Sequence, residues 1–270
     1  MVAFASNSLL NRLALGQRSI DATSYTTIRL ASGAVTLFAI AYLQSKNNRA
    51  FLRGSWTSAA LLFTYAITFS FAYLSLSAGT GALILFGSVQ ATMILVAVRS
   101  GEHPSPLEWI GLLFALGGLV YLVSPGLAAP SPLGSALMTA AGIAWGFYTI
   151  RGRGSENPLG DTAGNFVYSL PMALAVLLPA WRSVSVSTSG ALYATISGAL
   201  ASGVGYVIWY AALRGLTSTR AAIVQLSAPV IAAWGGVVLL AESVSARLVI
   251  AGALILSGIA LAVTSRTKKA

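Results

Sequence analysis

Gln90 and Gln225 each fall inside a long apolar run, and an amide at membrane depth is costly unless it bonds to something. Phe86 stands four residues before Gln90, and Pro229 four after Gln225, a spacing that puts each pair on one helix face. Two amides, a ring and a helix-kinking proline then form one surface. Those amides can hold a solute's amino or carboxylate group, and the proline frees a backbone carbonyl near Gln225. The competing reading is hydrogen bonding between helices, which membrane bundles use routinely.

Aromatic side chains form the next group. Trp145, Tyr148 and Thr149 share a face, as do Tyr206, Trp209 and Tyr210, with Phe69 and Tyr73 upstream. Rings around a cavity suit an apolar or aromatic solute. Trp56, Trp109 and Trp181 sit at helix ends and read instead as interfacial anchors. Asn7 and Asn11, four apart near the start, are a further pair within reach of a solute's charged groups. The expected substrate-binding set is Asn11, Phe69, Tyr73, Phe86, Gln90, Trp145, Tyr148, Tyr206, Trp209 and Gln225, with Pro229 as hinge.

Catalysis finds no footing. Asp21, Glu102, Glu108, Glu156, Asp161 and Glu242 are the six acids, and all are expected at or beyond helix ends. No buried carboxylate pair or nucleophile–histidine arrangement results. With no cysteine and only His103 as histidine, a thiolate or histidine metal cluster is excluded, and no cofactor is expected. A proton-coupled carrier keeps an ionisable Asp, Glu or His in the membrane. Its absence favours facilitated diffusion or exchange. Glu102 and Glu242 hold equivalent positions at helix ends. Each either caps the following helix or pairs with a nearby arginine to latch a gate, or it is a solvated turn charge. Arg29 is expected near the outer face, snorkelling or paired with Asp21. The deep interior is read as almost free of lysine and arginine.

The elements that position these residues are membrane-length helices in two copies. Hydrophobic residues make up 56% of the 270, charged ones 8%, and mean hydropathy is +0.80, where a soluble domain carries about a quarter charged residues. Apolar runs long enough to cross about 30 Å of hydrocarbon fall near 25–45, 55–77, 79–98, 106–124, 132–150, 162–181, 188–213, 219–240 and 246–264. A shorter first segment at 1–15 makes ten helices. Thr80, Ala82, Ile84 and Ser88 recur as Thr219, Ala221, Ile223 and Ser227. The register continues through Glu102/Glu242, Ser105/Ser245, Gly111/Gly252, Gly117/Gly258 and Ser124/Ser265, the offset drifting only from 139 to 141. Such duplication points to a transporter of two related halves, 1–126 and 127–270, joined at SPGLAAPSP. The alignment sets Arg12 opposite Arg151, so the first helix reads as abbreviated at its start.

The net charge of +10 sits mostly in short loops, where it sets orientation rather than nucleic-acid binding. With both termini cytoplasmic, eleven basic residues, including Arg53 and Arg151, lie inside, and four, Arg12, Arg18, Arg182 and Arg247, outside. No removable signal peptide is read. Five helices per half invert the second half against the first. Ser88 and Ser227 read as small packing residues, and the glycines of the fifth and tenth helices as close-approach points or a dimer surface. A monomer is the favoured state.

The glutamate, polar turn and G-x5-G helix ending each half, with A-P-V-I-A at 228–232, resemble the EamA-type branch of the drug/metabolite transporter superfamily. The aromatic-rich interior and the opening FASNSLLNRLALG look most like the YddG-type aromatic amino acid exporters. The resemblance implies a bacterial inner-membrane exporter of amino acids, aromatic ones foremost, working by alternating access through a central cavity between the halves. Its partners are then a small-molecule substrate and membrane lipid. The rival is a same-fold exporter of another metabolite or a hydrophobic drug, with proton coupling an option.

Overall fold

The structure is a computed structural model, which describes residues 1–44, 53–99, 101, 105–124, 129–152, 155–213 and 227–266. Gln225, Glu102, His103 and the half boundary at 126–127 lie outside the described residues.

Helices account for nearly all of the described chain: α1 (Val2–Gly16), α2 (Ala22–Gln44), α3 (Trp56–Ala72), α4 (Ala78–Arg99), α5 (Pro106–Val123), α6 (Pro132–Gly152) and α7 (Pro158–Leu177). After a short 3-10 turn (Trp181–Ser183), α8 (Thr188–Ile196) runs through a π-helical stretch (Ser197–Val204) into α9 (Gly205–Leu213). Then come α10 (Ser227–Leu240) and α11 (Ala246–Arg266). Counting Thr188–Leu213 as one rod gives ten rods among the described residues. Among the described residues, four helices suffice by length and composition to cross a membrane: Ala22–Gln44, Ala78–Val96, Pro132–Gly152 and Thr188–Trp209.

Short polar residues set where the helices begin. Ser55, Ser77, Ser105, Ser131, Asn157, Ser187 and Ser245 each accept a hydrogen bond from a first-turn amide with a side-chain oxygen, satisfying donors that the helix leaves orphaned. Ser105 and Glu108 complete a reciprocal capping box. The Asn157 cap and Pro158 start α7 four residues before the expected 162, because proline at the first helical position has no amide to lose. At α3 the expected span to 77 stops at Ala72.

Helix contacts fall into matched sets. α3 packs on α6 and α1 on α8; α4 on α6 and α1 on α10; α2 on α8 and α3 on α7. α2–α7, α4–α10 and α5–α11 also pack together. The α5–α11 crossing is close: a Cβ on Gly258 would stand 2.5 Å from the Gly111 carbonyl, and one on Gly118 2.8 Å from Leu254. Those glycines pack two helices of the same chain. Ser88 likewise packs, its Cβ lying 2.6 Å from a Cβ built on Gly142.

Candidate functional site

The buried centre is polar where α1, α2, α3 and the π stretch meet. Asn11 donates to the Asn7 carbonyl (2.8 Å) and to the Tyr25 hydroxyl (3.1 Å). Its own carbonyl oxygen accepts from Ser70 (3.3 Å), which accepts from Thr26 (2.9 Å). Asn7 accepts from Ser197 (2.7 Å) and Ser202 (3.4 Å). Both serines lie on the π stretch, which packs against α2 through Gly198. A Cβ at Gly198 would overlap the Arg29 backbone carbonyl and the Ser32 hydroxyl.

Arg29 belongs to this centre. The expected snorkelling does not occur: the side chain is 2% exposed. Its Nη2 donates to the Tyr65 hydroxyl (3.0 Å) and Nε to Ser202 (3.4 Å), while Nη1 has no partner. Asp21 is engaged elsewhere. It caps α2 through Ser24 N–H (2.8 Å) and accepts from Ser185 N–H (3.0 Å). The guanidinium carbon lies 5.3 Å from the Tyr65 ring centre and 5.2 Å from that of Phe69. Two such contacts are worth about 1–2 kcal/mol each, against several kcal/mol for desolvating a buried ion. The rings offset part of that cost and leave the rest. The interior, expected almost free of basic residues, thus holds a cation one turn from Tyr25.

Around Arg29 the aromatic residues interlock. Trp145 meets Tyr65 at 4.9 Å, Tyr148 at 5.3 Å and Tyr206 at 5.4 Å between ring centres. Phe69 packs on Tyr65 (5.3 Å), and Phe4 lies edge-on to Tyr206 (5.7 Å) and Trp209 (5.9 Å). Asn11, Phe69, Trp145, Tyr148, Tyr206 and Trp209 are thereby brought into one polar and aromatic centre. Tyr73 falls just past α3; its ring touches Phe69 (4.8 Å), but its carbonyl accepts from Arg12 (3.3 Å). Phe86 is partly buried against the core, and Gln90 on the same helix is buried. Pro229 lies in the first turn of the described α10. Tyr65, Phe4 and Arg29, together with Phe166 edge-on to Tyr206 at 6.1 Å, join this centre without having been selected from the sequence. Tyr65 stands four before Phe69 on the same face, which is a readable signal; the placement of Arg29 depends on the π stretch, which has none.

A cavity of about 470 Å³ opens beside this centre, lined among others by Arg53, Ser58, Tyr148, Arg151, Asp161 and Asn165. Its floor is continuous with the rings, since Asn165 donates to the Tyr148 hydroxyl (3.3 Å). Arg151 donates to Ser58 (3.3 Å) in the wall. At the opposite end the helices are stitched together. Ile20 and Val186 form an antiparallel bridge, and Ser187 N–H donates to the Ser19 carbonyl (2.9 Å). Glu242 pairs with Arg12 (3.0 Å) and accepts the Ala78 amide on both oxygens (2.9 and 3.1 Å). It therefore caps α4, not the α11 that follows it. The turn is set by Ala241, at φ 52° in the left-handed region, which costs a non-glycine about 1 kcal/mol or more. Gly236 leaves room for the returning carboxylate, since a Cβ there would lie 2.5 Å from its Oε2.

Apolar rods around a polar centre, stitched at one end and hollow at the other, have the build of a multi-pass membrane protein. The EamA-like transporter family matches residues 132–264. An uncharacterized protein of Pseudomonas aeruginosa is 47% identical over 270 residues, covering 100% of this chain and 94% of that one. An uncharacterized transporter of Archaeoglobus fulgidus is 24% identical over 260 residues, 92% of this chain and 91% of that one. One solved crystal structure superposes with a TM-score of 0.66 at 21% identity, covering 97% of this chain and 96% of the other, and so shares the fold. The second half of the chain, residues 132–264, thus carries the match to the EamA-like transporter family.

Proposed function

We propose that this transporter exports amino acids, aromatic ones foremost, by alternating access, as a uniporter or exchanger in a bacterial inner membrane. The carrying observation is the pairing of a stitched end with a hollow end lined by Tyr148, whose ring packs on Trp145 and through it on Tyr65. A cavity of about 470 Å³ is of the size that holds a small organic solute, and rings suit an aromatic side chain. The matched helix contacts are those expected of two five-helix halves related by a pseudo-two-fold axis, which supports ten crossings as inverted repeats. With both termini cytoplasmic, Arg53 and Arg151 put the hollow end inside and Arg12 puts the stitched end outside. That arrangement is a carrier loading from the cytoplasm.

The test is counterflow in proteoliposomes. Vesicles preloaded with phenylalanine should accumulate labelled phenylalanine or tryptophan without a pH gradient, and threonine and a drug cation more slowly. A strict need for a pH gradient would overturn uniport and exchange. Flux of the drug cation alone would overturn the amino-acid reading in favour of the hydrophobic-drug exporter.

A further inference from the structure

We infer that Arg29 is the anchor for a carboxylate on the transported solute, with Tyr65, Phe69, Trp145 and Tyr206 receiving its apolar body. This deepens, and rests on, the reading of the chain as an exporter of amino-acid-like solutes. Arg29 is fully enclosed, and among the described residues it forms no ion pair; its Nη1 meets no acceptor at all. A guanidinium is a planar fork whose parallel N–H groups match a carboxylate. Here Tyr65 holds Nη2 and Ser202 holds Nε, which fixes the plane of the fork, and Nη1 is unengaged. An arginine kept only for packing would have no reason to leave a donor orphaned, because a buried polar group without a partner is destabilising.

The surroundings decide what kind of anion fits. Tyr65 and Phe69 lie against the guanidinium at 5.3 and 5.2 Å, so the cation is lodged in aromatic surface. A phosphate would need several further donors; a carboxylate uses one fork. The way in is also aromatic. From the cavity, Tyr148 leads to Trp145, Trp145 to Tyr65, and the Tyr65 hydroxyl to Arg29. A solute ring sliding between these side chains exchanges one ring contact for another, while its carboxylate gains the charge that Arg29 lacks. The stitched end offers no such route, since Glu242 and Arg12 already satisfy each other there.

The experiment compares acids with their neutral or amidated isosteres on the purified full chain. Thermal unfolding is followed against increasing 3-phenylpropionate, 3-phenylpropanamide, phenylalanine and phenylalaninamide. The acids should stabilise the protein at half-saturating concentrations at least about tenfold below those of the amides, the scale of one charge-assisted hydrogen bond. Arg29→Gln should abolish that preference, and Arg29→Lys should keep its sign but weaken it, since an ammonium has no fork. Equal response to acid and amide in the unsubstituted protein, or no response to either, overturns the anchor even if Arg29→Gln does not fold. An undiminished acid preference in Arg29→Gln overturns it as well. Counterflow of phenylalanine separates the two proposals. Flux without acid preference removes the anchor and leaves the exporter; acid preference without flux removes the exporter and leaves the anchor.

Discussion

Replacing Glu242 by glutamine should open the stitched end. The carboxylate holds α1 through Arg12 and α4 through the Ala78 amide, both contacts near 3 Å, with the two side chains 13% and 28% exposed. A partly exposed ion pair is worth about 0.5–1 kcal/mol, and a charge-assisted bond to a helix-terminal amide about 1.5 kcal/mol. Glutamine keeps one acceptor oxygen, so the expected loss is about 1.5–2 kcal/mol, or roughly a ten- to thirtyfold shift in the opening equilibrium. The chain has no cysteine, which leaves no labelling background. Ser8 lies one turn deeper than Arg12 on α1 and is buried. In Ser8→Cys protein, maleimide labelling should be slow with Glu242 and roughly ten- to thirtyfold faster with Glu242→Gln. Ser58→Cys, in the cavity wall, should label readily in both. Labelling of Ser8→Cys within twofold in the two backgrounds would refute the latch.

Two further outcomes follow from packing and capping. Gly198→Ala should destabilise the protein by about 3 kcal/mol, at the upper end of overpacking costs, because its Cβ would meet the Arg29 backbone, which cannot swing aside. Gly252→Ala, whose Cβ would meet only Leu83 at 3.4 Å and 4.0 Å, is the tolerated control, and chemical unfolding compares them. Burial raises the Asp21 pKa as its largest single influence, but hydrogen bonds from Thr23, Ser24 and Ser185 together outweigh it and hold the carboxyl below its ordinary value. A depressed folded pKa stabilises above the unfolded value, about 3.9, and is lost as pH falls through the folded one. The stability advantage over Asp21→Asn should therefore be present at about pH 6 and shrink below about pH 4. Thermal unfolding across that range checks it; a pH-independent difference would count against the cap.

The helical bundle was legible because membrane-length apolar runs and cap residues are local signals. The start at Pro132 and the span at Thr188–Leu213 needed nothing beyond the chain itself, whereas α2 begins at Ala22, three residues before the expected 25. The aromatic centre was partly legible, since Trp145 with Tyr148 and Tyr206 with Trp209 declare their faces by spacing alone. Arg29 was not. Whether an arginine near a helix start snorkels or turns inward depends on what stands across from it. Here that is Tyr65 on α3 and Ser202 on a π turn, neither of which hydropathy reports. Glu242 was half legible: the arginine pairing was among the expected readings, but its capping of a helix in the other half needed Ala241 in a left-handed conformation, a choice alanine rarely makes.

The π-helical stretch at Ser197–Val204 makes chain length there as constrained as side-chain identity. A residue inserted into or deleted from a helix turns everything beyond it by about 100°. Losing a single residue between 197 and 204 would be absorbed by closing the widened turn to an ordinary α-helix, at the expense of the seating of Ser197 and Ser202 on Asn7, leaving hydropathy and composition almost untouched. Two chains alike in every apolar run, but differing by that one position, would present different walls to whatever passes between them.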